Sequence, residues 1–321
     1  MNTYLIPLGT GSAIPTTKRN VSAFALVREG HVLLFDCGEG TQMRLLKAGL
    51  KRSRVRHIFI SHLHGDHFYG LIGLISSLEL IQRRDPLYVY GPKGLQAYLD
   101  FMFSLSDLQP SYELIVHEVD PERFEGGVLL DTEEYFVEAR PLVHRIFCMG
   151  FRFQEKPRPG KVNAERAREL GITEDWQFKA LKAGVPVTLD SGRVVRPEEV
   201  VGPPRPGASF VYITDSRFCP NAILLSMDAD VLYHEATFSH ALQEKAEQTG
   251  HATAVEAARV AQAAGVGLLL LGHFSARYGD TSELVEEARQ VFPNTRAAEE
   301  LRPLRLLPRS ARQTYEQSRR S

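Results

Sequence analysis

Three histidines and an aspartate crowd into six residues of this chain, at His62, His64, Asp66 and His67. The β-rich run at residues 55–60 comes directly before them, which predicts a buried strand that ends in a polar loop. Imidazole and carboxylate groups are the usual zinc ligands of catalytic sites, where one position stays open for water. Because no cysteine lies nearby, the spacing favours a catalytic metal site, and the alternative is a polar loop that caps the following helix.

One loop cannot complete the ligand shells of two metal ions, so further ligands are expected at the ends of other apolar strands. The sequence offers three candidates, since His144, Asp215 and His273 each follow an apolar run. Any one of them alone is more often an ordinary turn residue at a strand end than a ligand. Together they repeat one placement, and they are therefore the candidate distal ligands.

Short apolar runs with glycine-rich turns alternate with helical patterns along the chain, which is typical of an α/β fold. The predicted strands occupy residues 4–8, 22–27, 32–36, 55–60, 210–214, 231–233 and 267–271. The predicted helices occupy residues 41–47, 69–81 and 253–264. The two halves of the chain resemble each other in kind, but no internal repeat is strong enough to define a unit.

Two segments differ from the rest of the chain in composition. Residues 156–207 contain seven prolines and ten Lys or Arg against seven Asp or Glu, which predicts an inserted, mildly basic arm. Residues 296–321 contain seven arginines and three glutamates with no clear periodicity, which is typical of a mobile basic tail. Over the whole chain, 38 Lys and Arg balance 39 Asp and Glu, so any contact with a polyanion must be local.

The cysteines and the N-terminus bear on cellular location. Cys37, Cys148 and Cys219 stand far apart, and their odd number argues against a disulfide framework. The first residues contain neither a basic leader nor a long apolar stretch, and no run of about 18 apolar residues occurs along the chain. These features predict a cytoplasmic protein without export or membrane insertion.

Further short motifs carry a resemblance to a known family. The HxHxDH segment with a distal His, an Asp and a final His is the hallmark of the metallo-β-lactamase superfamily, which the chain resembles. Within that superfamily, the chain is similar to the ribonuclease Z family from residue 4 to about residue 280. The motifs that carry this second resemblance are Leu8-Gly9-Thr10-Gly11, Asp36-Cys37-Gly38-Glu39-Gly40, His234-Glu235-Ala236-Thr237-Phe238, Gly250-His251-Ala252-Thr253 and His273-Phe274-Ser275-Ala276-Arg277-Tyr278.

The resemblance implies a four-layer αββα sandwich, with a catalytic domain at residues 1–295 that the arm interrupts. It also implies two Zn²⁺ ions per subunit, of the kind that activate water for phosphodiester hydrolysis. One ion would be bound by His62, His64 and His144. The other would be bound by Asp66, His67 and His273, and Asp215 would bridge both. Mn²⁺ suits the same ligands, so the sequence leaves the native metal open.

The resemblance implies catalytic roles for four residues. Asp66 would also orient the attacking water or accept its proton, and His251, paired with Glu235, would protonate the leaving oxygen. Arg277 would contact the scissile phosphate through its planar guanidinium group. From the sequence alone, a position beside a helix N-cap explains His251 as well as a catalytic role does. The alternative role for Arg277 is a salt bridge on the surface.

The resemblance also implies a substrate. Family members remove the 3′ trailer from precursor tRNA after the discriminator nucleotide, which leaves a 3′-hydroxyl on the tRNA and a 5′-phosphate on the trailer. Their arm grips the tRNA elbow, and in the homodimer it serves the active site of the partner subunit. Here residues 172–177 replace the Gly-Pro pair of the family's arm. Thr17 and Lys18 stand in the loop near the cleaved end, which leaves discrimination of an encoded CCA open.

Two other functions remain as alternatives. Other hydrolases of the superfamily act on small phosphodiesters, lactones or sulfate esters with the same metals, but they need no long arm. An inactive RNA-binding partner would keep the fold without the chemistry, and the complete ligand set argues against it. Deletion of the arm tests the first alternative, and metal analysis tests the second.

Overall fold

The first part of the chain builds one sheet with its helices; the structure, a computed structural model, describes residues 3–309. The strands are β1 (Thr3–Gly9), β2 (Ala23–Arg28), β3 (His31–Cys37), β4 (Val55–Phe59), β5 (Leu87–Pro92) and β6 (Leu114–Val119). The helices are α1 (Thr41–Lys47), α2 (Gly65–Phe68), α3 (Gly70–Leu80) and α4 (Leu95–Ser106).

The rest of the chain builds a second sheet and an insert. The strands are β7 (Gly127–Asp131), β8 (Tyr135–Leu142), β9 (Cys148–Glu155), β10 (Val187–Thr188), β11 (Val194–Val195), β12 (Ser209–Ile213), β13 (Val231–Glu235), β14 (Leu269–Gly272), β15 (Thr295–Ala297) and β16 (Leu304–Leu306). The helices are α5 (Ala164–Glu169), α6 (Asp175–Lys182), α7 (Pro220–Ser226), α8 (Gln243–Thr249), α9 (Ala254–Ala263) and α10 (Ser282–Val291). Among residues 3–309, no helix combines the length and the apolar composition that crossing a membrane requires.

Two seven-stranded mixed sheets form the centre of the fold. The first has the order β16-β1-β2-β3-β4-β5-β6, in which β3 to β6 run parallel. The second has the order β15-β14-β13-β12-β9-β8-β7, in which β12 to β15 run parallel. Parallel neighbours need crossover connections, and helices supply most of them, so helices cover the outer face of each sheet.

Three apolar layers hold these elements together. Between the sheets, Phe24 and Phe210 stack with 4.9 Å between their ring centroids, one from each sheet. Outside the first sheet, Leu74 of α3 is part of a second buried cluster, and outside the second sheet, Val260 of α9 is part of a third. The predicted four-layer αββα sandwich is confirmed. Its central strands are buried on both faces, which is why they read as continuous apolar runs.

Residues 156–207 form an insert between β9 and β12, which pair antiparallel. The two ends of the insert run side by side, with bridges between Arg158 and Arg205 and between Val162 and Val201. Beyond this stem, α5, α6 and the β10–β11 hairpin enclose an apolar core of their own. That core consists of Ala167, Leu170, Ile172, Leu181, Val187, Val195 and Val200. The insert therefore has an apolar core of its own and is connected to the second sheet through this stem.

The prediction of a mobile basic tail from residue 296 was wrong for the part that the structure describes. Strand β15 pairs with β14, and β16 pairs with β1, so the chain returns to both sheets. Ala298 and Leu306 are buried between the sheets. A strand of three residues is too short to show an alternation of apolar and polar residues. The prediction therefore followed the arginine-rich composition and missed both strands. The folded domain thus extends beyond residue 295, while residues 310–321 lie outside the described part.

Candidate dinuclear metal centre

The candidate ligands meet where strands of both sheets end. The segment that contains residues 62–67 follows β4 and enters α2. His144 follows β8, Asp215 follows β12 and His273 follows β14. The carboxyl ends of parallel strands share one edge of a sheet, and this is where α/β proteins place their sites. The fold therefore brings together ligand candidates from both halves of the chain.

His62, His64 and His144 turn ring nitrogens toward one point. Nδ1 of His64 lies 3.1 Å from Nε2 of His62 and 3.2 Å from Nε2 of His144. Oδ2 of Asp215 lies 3.6 Å from Nε2 of both His62 and His144. Three imidazoles and one carboxylate oxygen at these spacings match the tetrahedral donor set of zinc.

A second group lies beside the first and shares Asp215 with it. Nε2 of His67 and Nε2 of His273 lie 3.4 and 3.6 Å from Oδ2 of Asp66. Oδ1 of Asp215 lies 3.2 Å from the His67 nitrogen and 3.0 Å from the His273 nitrogen. Nε2 of His273 is buried and makes no hydrogen bond within residues 3–309. The two oxygens of Asp215 therefore each face one group, as a carboxylate that bridges two metal ions would.

Hydrogen-bond acceptors outside the centre fix the tautomers of two rings. Nδ1 of His67 lies 2.7 Å from Oδ2 of Asp36, and Nδ1 of His144 lies 2.7 Å from the carbonyl oxygen of Gly250. A carboxylate and a carbonyl only accept, so each Nδ1 carries the proton and donates. Each Nε2 then presents its lone pair to the centre, which is the form that ligates a metal.

Two hydroxyl groups act in the same way on His62 and His273. Oγ of Ser61 donates to Asp36 at 3.0 Å and therefore accepts from Nδ1 of His62 at 2.9 Å. Oγ1 of Thr237 donates to the carboxylate of Glu235 at 2.5 Å and accepts from Nδ1 of His273 at 3.0 Å. Four rings thus aim lone pairs at the same centre. This donor set fits divalent metal ions.

The charges of the centre also favour a cation between its groups. Burial lowers the pKa of His62 to about 4, so this ring is neutral at pH 7. Burial also lowers the pKa of His273, but the Asp215 carboxylate outweighs it and raises this pKa to about 10. Burial raises the pKa of Asp215, yet the surrounding imidazoles hold it well below its usual range. The buried carboxylates therefore require a positive charge, which a proton or a metal ion supplies.

Glu235 and His251 form a pair beside the two groups. Nδ1 of His251 lies 3.0 Å from Oε1 of the fully buried Glu235, which also accepts from the backbone of Ser216 at 2.7 Å. The His251 ring centroid lies 5.5 Å from that of His273. Burial lowers the pKa of His251, but the Glu235 carboxylate outweighs burial and raises it. Because Nδ1 is held by Glu235, Nε2 is the nitrogen left to exchange a proton with a ligand.

Arg277 lies on the surface beside this pair. Its guanidinium carbon lies 5.0 Å from the ring centroid of Phe238, and its Nε donates to Oγ of Ser275 at 3.1 Å. The same Phe238 ring lies 6.2 Å from the His251 ring. Within the described residues Arg277 forms no salt bridge, so its alternative role in a surface ion pair has no support there.

The centre opens into a cleft with a volume of about 360 Å³. His64, Asp66 and His251 line it, together with Tyr69 and Arg145, which the sequence did not single out. Both Tyr69 and Arg145 are exposed. A cleft of this size with convergent polar groups suits a ligand of about nucleotide size.

Sequence reasoning missed the residues that hold the ligands in place. Asp36 accepts from Ser61, from His67 and, at 3.0 Å, from the hydroxyl of Tyr212. Its φ of 58° is uncommon for a residue other than glycine. A signal existed, because Asp36 follows an apolar run just as Asp215 does. Thr237 had no comparable signal, since its contact with His273 depends on how β13 and β14 align.

Comparison with known proteins defines the class. A family model described as "Beta-lactamase superfamily domain" matches residues 130–274, and one described as "Anti-Pycsar protein Apyc1" matches residues 3–100. The metallo-β-lactamase fold protein YhfI from Bacillus subtilis has a TM-score of 0.66 and 18% identity, covering 95% of this chain and 100% of its own. The fold and the site together define a member of the metallo-β-lactamase superfamily.

Nearer relatives define the family. The ribonuclease Z of Salinibacter ruber is 50% identical over 310 residues, which cover 96% of each chain. The crystal structure of human tRNase Z, short form, has a TM-score of 0.68 and 30% identity, covering 94% of this chain and 98% of its own. The chain belongs to the ribonuclease Z family of endoribonucleases. The predicted family and enzyme class are confirmed.

Proposed function

We propose that this protein is a zinc-dependent endoribonuclease that removes the 3′ trailer from tRNA precursors. The observation that carries the proposal is Asp215, whose two oxygens face two separate groups of ring nitrogens. A relative named ribonuclease Z and a structure named tRNase Z support tRNA as the substrate. The cut would follow the discriminator nucleotide and leave a 3′-hydroxyl on the tRNA and a 5′-phosphate on the trailer.

Two zinc ions would be held by the two groups of ligands described above. The first ion would be bound by His62, His64 and His144. The second ion would be bound by Asp66, His67 and His273, and Asp215 would be shared by both. When bound, such a pair of ions acidifies water and neutralises the charge that develops on the phosphate oxygens. The protein contributes rings whose tautomers are already set, so the ligands need no rearrangement before the metals bind.

Asp66 would orient the attacking water and accept its proton. Its Oδ2 accepts a hydrogen bond from the backbone N–H of Ala13 at 2.8 Å, which fixes the carboxylate at the wall of the cleft. Burial raises the pKa of Asp66, but the nearby imidazoles of His273 and His67 hold it well below its usual range. The carboxylate therefore stays ionised, so its oxygens can accept a hydrogen bond from the attacking water and orient it.

His251 would protonate the ribose 3′-oxygen as it leaves. Glu235 keeps the proton on Nδ1 and stabilises the charged ring, so Nε2 can deliver a second proton to a ligand in the cleft. Arg277 would bind a non-bridging oxygen of the scissile phosphate, since its exposed guanidinium lies over the ring next to His251.

The arm at residues 156–207 would bind the tRNA body away from the cut, and in a homodimer it would serve the active site of the partner subunit. Its helix α6 exposes Trp176, together with Lys179 and Lys182. Aromatic rings stack on bases and lysines contact phosphates, so this helix suits RNA. The cytoplasm is the proposed location.

Mapping the cleavage site tests this proposal. The purified enzyme is incubated with one tRNA precursor that encodes CCA and one that does not, and both product ends are sequenced. We expect the precursor without CCA to yield tRNA that ends at the discriminator nucleotide. Hydrolysis of small phosphodiesters without any cut between tRNA and trailer would contradict the proposal and favour another superfamily hydrolase.

Replacing His251 with alanine is expected to lower kcat for precursor cleavage by about 10²–10⁴-fold, the usual loss when a general acid is removed. Zinc content should stay near two ions, because His251 is not one of the proposed ligands. The matched control is His117→Ala, since His117 lies on β6 and stacks on Tyr90 with 4.8 Å between ring centroids. Equal rates for the two variants would remove His251 from the mechanism.

A further inference from the structure

Glu300 lies outside the metal centre, yet it fastens both ends of a loop that reaches into it. We name residues 10–20 the cleft loop, because part of it lines the cleft. Oε1 of Glu300 accepts from the backbone N–H and the hydroxyl of Thr10 at 2.9 and 3.1 Å. The same oxygen accepts from the backbone N–H of Asn20 at 3.0 Å. One carboxylate therefore closes the base of the cleft loop.

The cleft loop contacts both sides of the second group of ligands. The backbone N–H of Ala13 donates to Oδ2 of Asp66 at 2.8 Å. The backbone N–H of Ser12 donates to the carbonyl of Phe274 at 3.0 Å, and Phe274 directly follows His273. Ala13 has a φ of 63°, a conformation that persists only where the surroundings hold it. The position of the loop thus sets where the Asp66 carboxylate points.

Charge and burial make Glu300 a firm anchor. Its other oxygen forms an ion pair with Arg44, and the two side chains are only 10% and 17% exposed. Arg44 in turn donates from Nε to the carbonyl of Leu8 at 2.8 Å, just before the cleft loop begins. Charge-assisted hydrogen bonds are stronger than neutral ones, and here four donors converge on one carboxylate. The loop base therefore resists opening.

We propose that Glu300 is a positioning residue of the active site, which acts through the cleft loop on Asp66 and His273. It sets the affinity for a metal ion at the second group of ligands, and it sets where the scissile bond lies in the cleft. The first part concerns the metal ligands alone, and the second rests on the proposed function. The chain segment after β15 is then part of the catalytic apparatus.

The test replaces Glu300 with glutamine, which keeps the size of the side chain and removes its charge. The matched control is Glu299→Gln, since Glu299 precedes it on the same segment, but its side chain is 62% exposed and, in the part of the chain that the structure describes, forms an ion pair only with Arg302. Zinc affinity is measured by competition with a chromogenic chelator. The value of kcat and the position of the cut are measured on precursor tRNA at saturating zinc. Glu300→Ala is made in parallel, and the glutamine variant decides if the alanine variant does not fold.

We expect Glu300→Gln to weaken zinc binding at the second metal position by about tenfold, as loss of a residue that orients metal ligands typically does. We also expect kcat to fall about tenfold at saturating zinc and the cut to spread to neighbouring nucleotides. Wild-type zinc affinity and wild-type kcat in this variant, even with a lowered melting temperature, would show that Glu300 is merely structural and overturn the proposal.

The two proposals can fail separately in this experiment. A wild-type enzyme that cleaves no precursor tRNA, while Glu300→Gln still weakens zinc binding, would refute the proposed function and support the role of Glu300 at the metal centre. Unchanged zinc affinity and an unchanged cut, in an enzyme that processes precursor tRNA, would leave the proposed function intact and refute the role of Glu300.

Discussion

Replacing Asp66 with alanine is expected to lower precursor cleavage by about 10⁴-fold while the protein stays folded. The variant loses the proposed proton acceptor, whose removal alone costs up to about 10⁴-fold. It also loses one of the three candidate ligands of the second group, and the Nε2 atoms of His67 and His273 then keep the Asp215 carboxylate beside them. Asp66 belongs to none of the apolar clusters that hold the sandwich together. The melting temperature of the chelator-treated protein should therefore change little.

Single-turnover rates on precursor tRNA and zinc counts by mass spectrometry check this expectation together. The control is Asp85→Ala, because the Asp85 side chain is 61% exposed and, among residues 3–309, its carboxylate forms an ion pair only with Arg56, at 3.8 Å. The control should bind two zinc ions and cleave at the normal rate. An Asp66→Ala enzyme with undiminished cleavage would refute the mechanism. Wild-type protein that holds almost no zinc when purified without chelator would refute the choice of metal.

Burial decided how well the fold could be predicted from the sequence. The helix predicted at residues 41–47 is α1 with the same bounds, and the helix predicted at residues 69–81 is α3, one residue shorter at each end. Strands β2, β3, β4, β12, β13 and β14 lie inside the sheets and were found because both of their faces are apolar, whereas β5 and β9 also lie inside the sheets and were not among the predicted strands. The edge strands β15 and β16 were missed because each has only three residues, and not all of those residues are buried.

The ligands of the centre could be proposed because each follows a strand, and strand ends are visible as the ends of apolar runs. The residues that hold those ligands could not. Thr237 meets His273 across 36 residues of sequence, and Glu300 meets Asn20 across 280. Such contacts follow from sheet register and from the return of the chain after β15, which no local pattern encodes. In the sequence, nothing distinguishes Glu300 from Glu299.

Removing the arm is expected to separate tRNA cleavage from the chemistry itself. The structure shows where the arm can be removed, because Val162 and Val201 form a β-bridge at the end of the stem. Residues 163–200 can be replaced by a short Gly-Ser turn. This leaves β9 and β12 paired, and Glu155 keeps its backbone hydrogen bond to Ala208 at 2.9 Å. The deleted part contains most of its own apolar core, so little buried surface of the sandwich is exposed.

For this deletion, kcat/KM on precursor tRNA should fall by at least about 100-fold, equal to about 2.8 kcal/mol of lost transition-state binding. Hydrolysis of a small chromogenic phosphodiester should stay within about twofold of the wild-type rate, because it uses the metal centre alone. Normal cleavage of precursor tRNA would refute the arm as the tRNA-binding element. Loss of both activities would mean that the deletion damages the centre. The milder pair Lys179→Ala and Lys182→Ala should weaken tRNA binding less and make it less dependent on salt, as expected if these lysines contact phosphates.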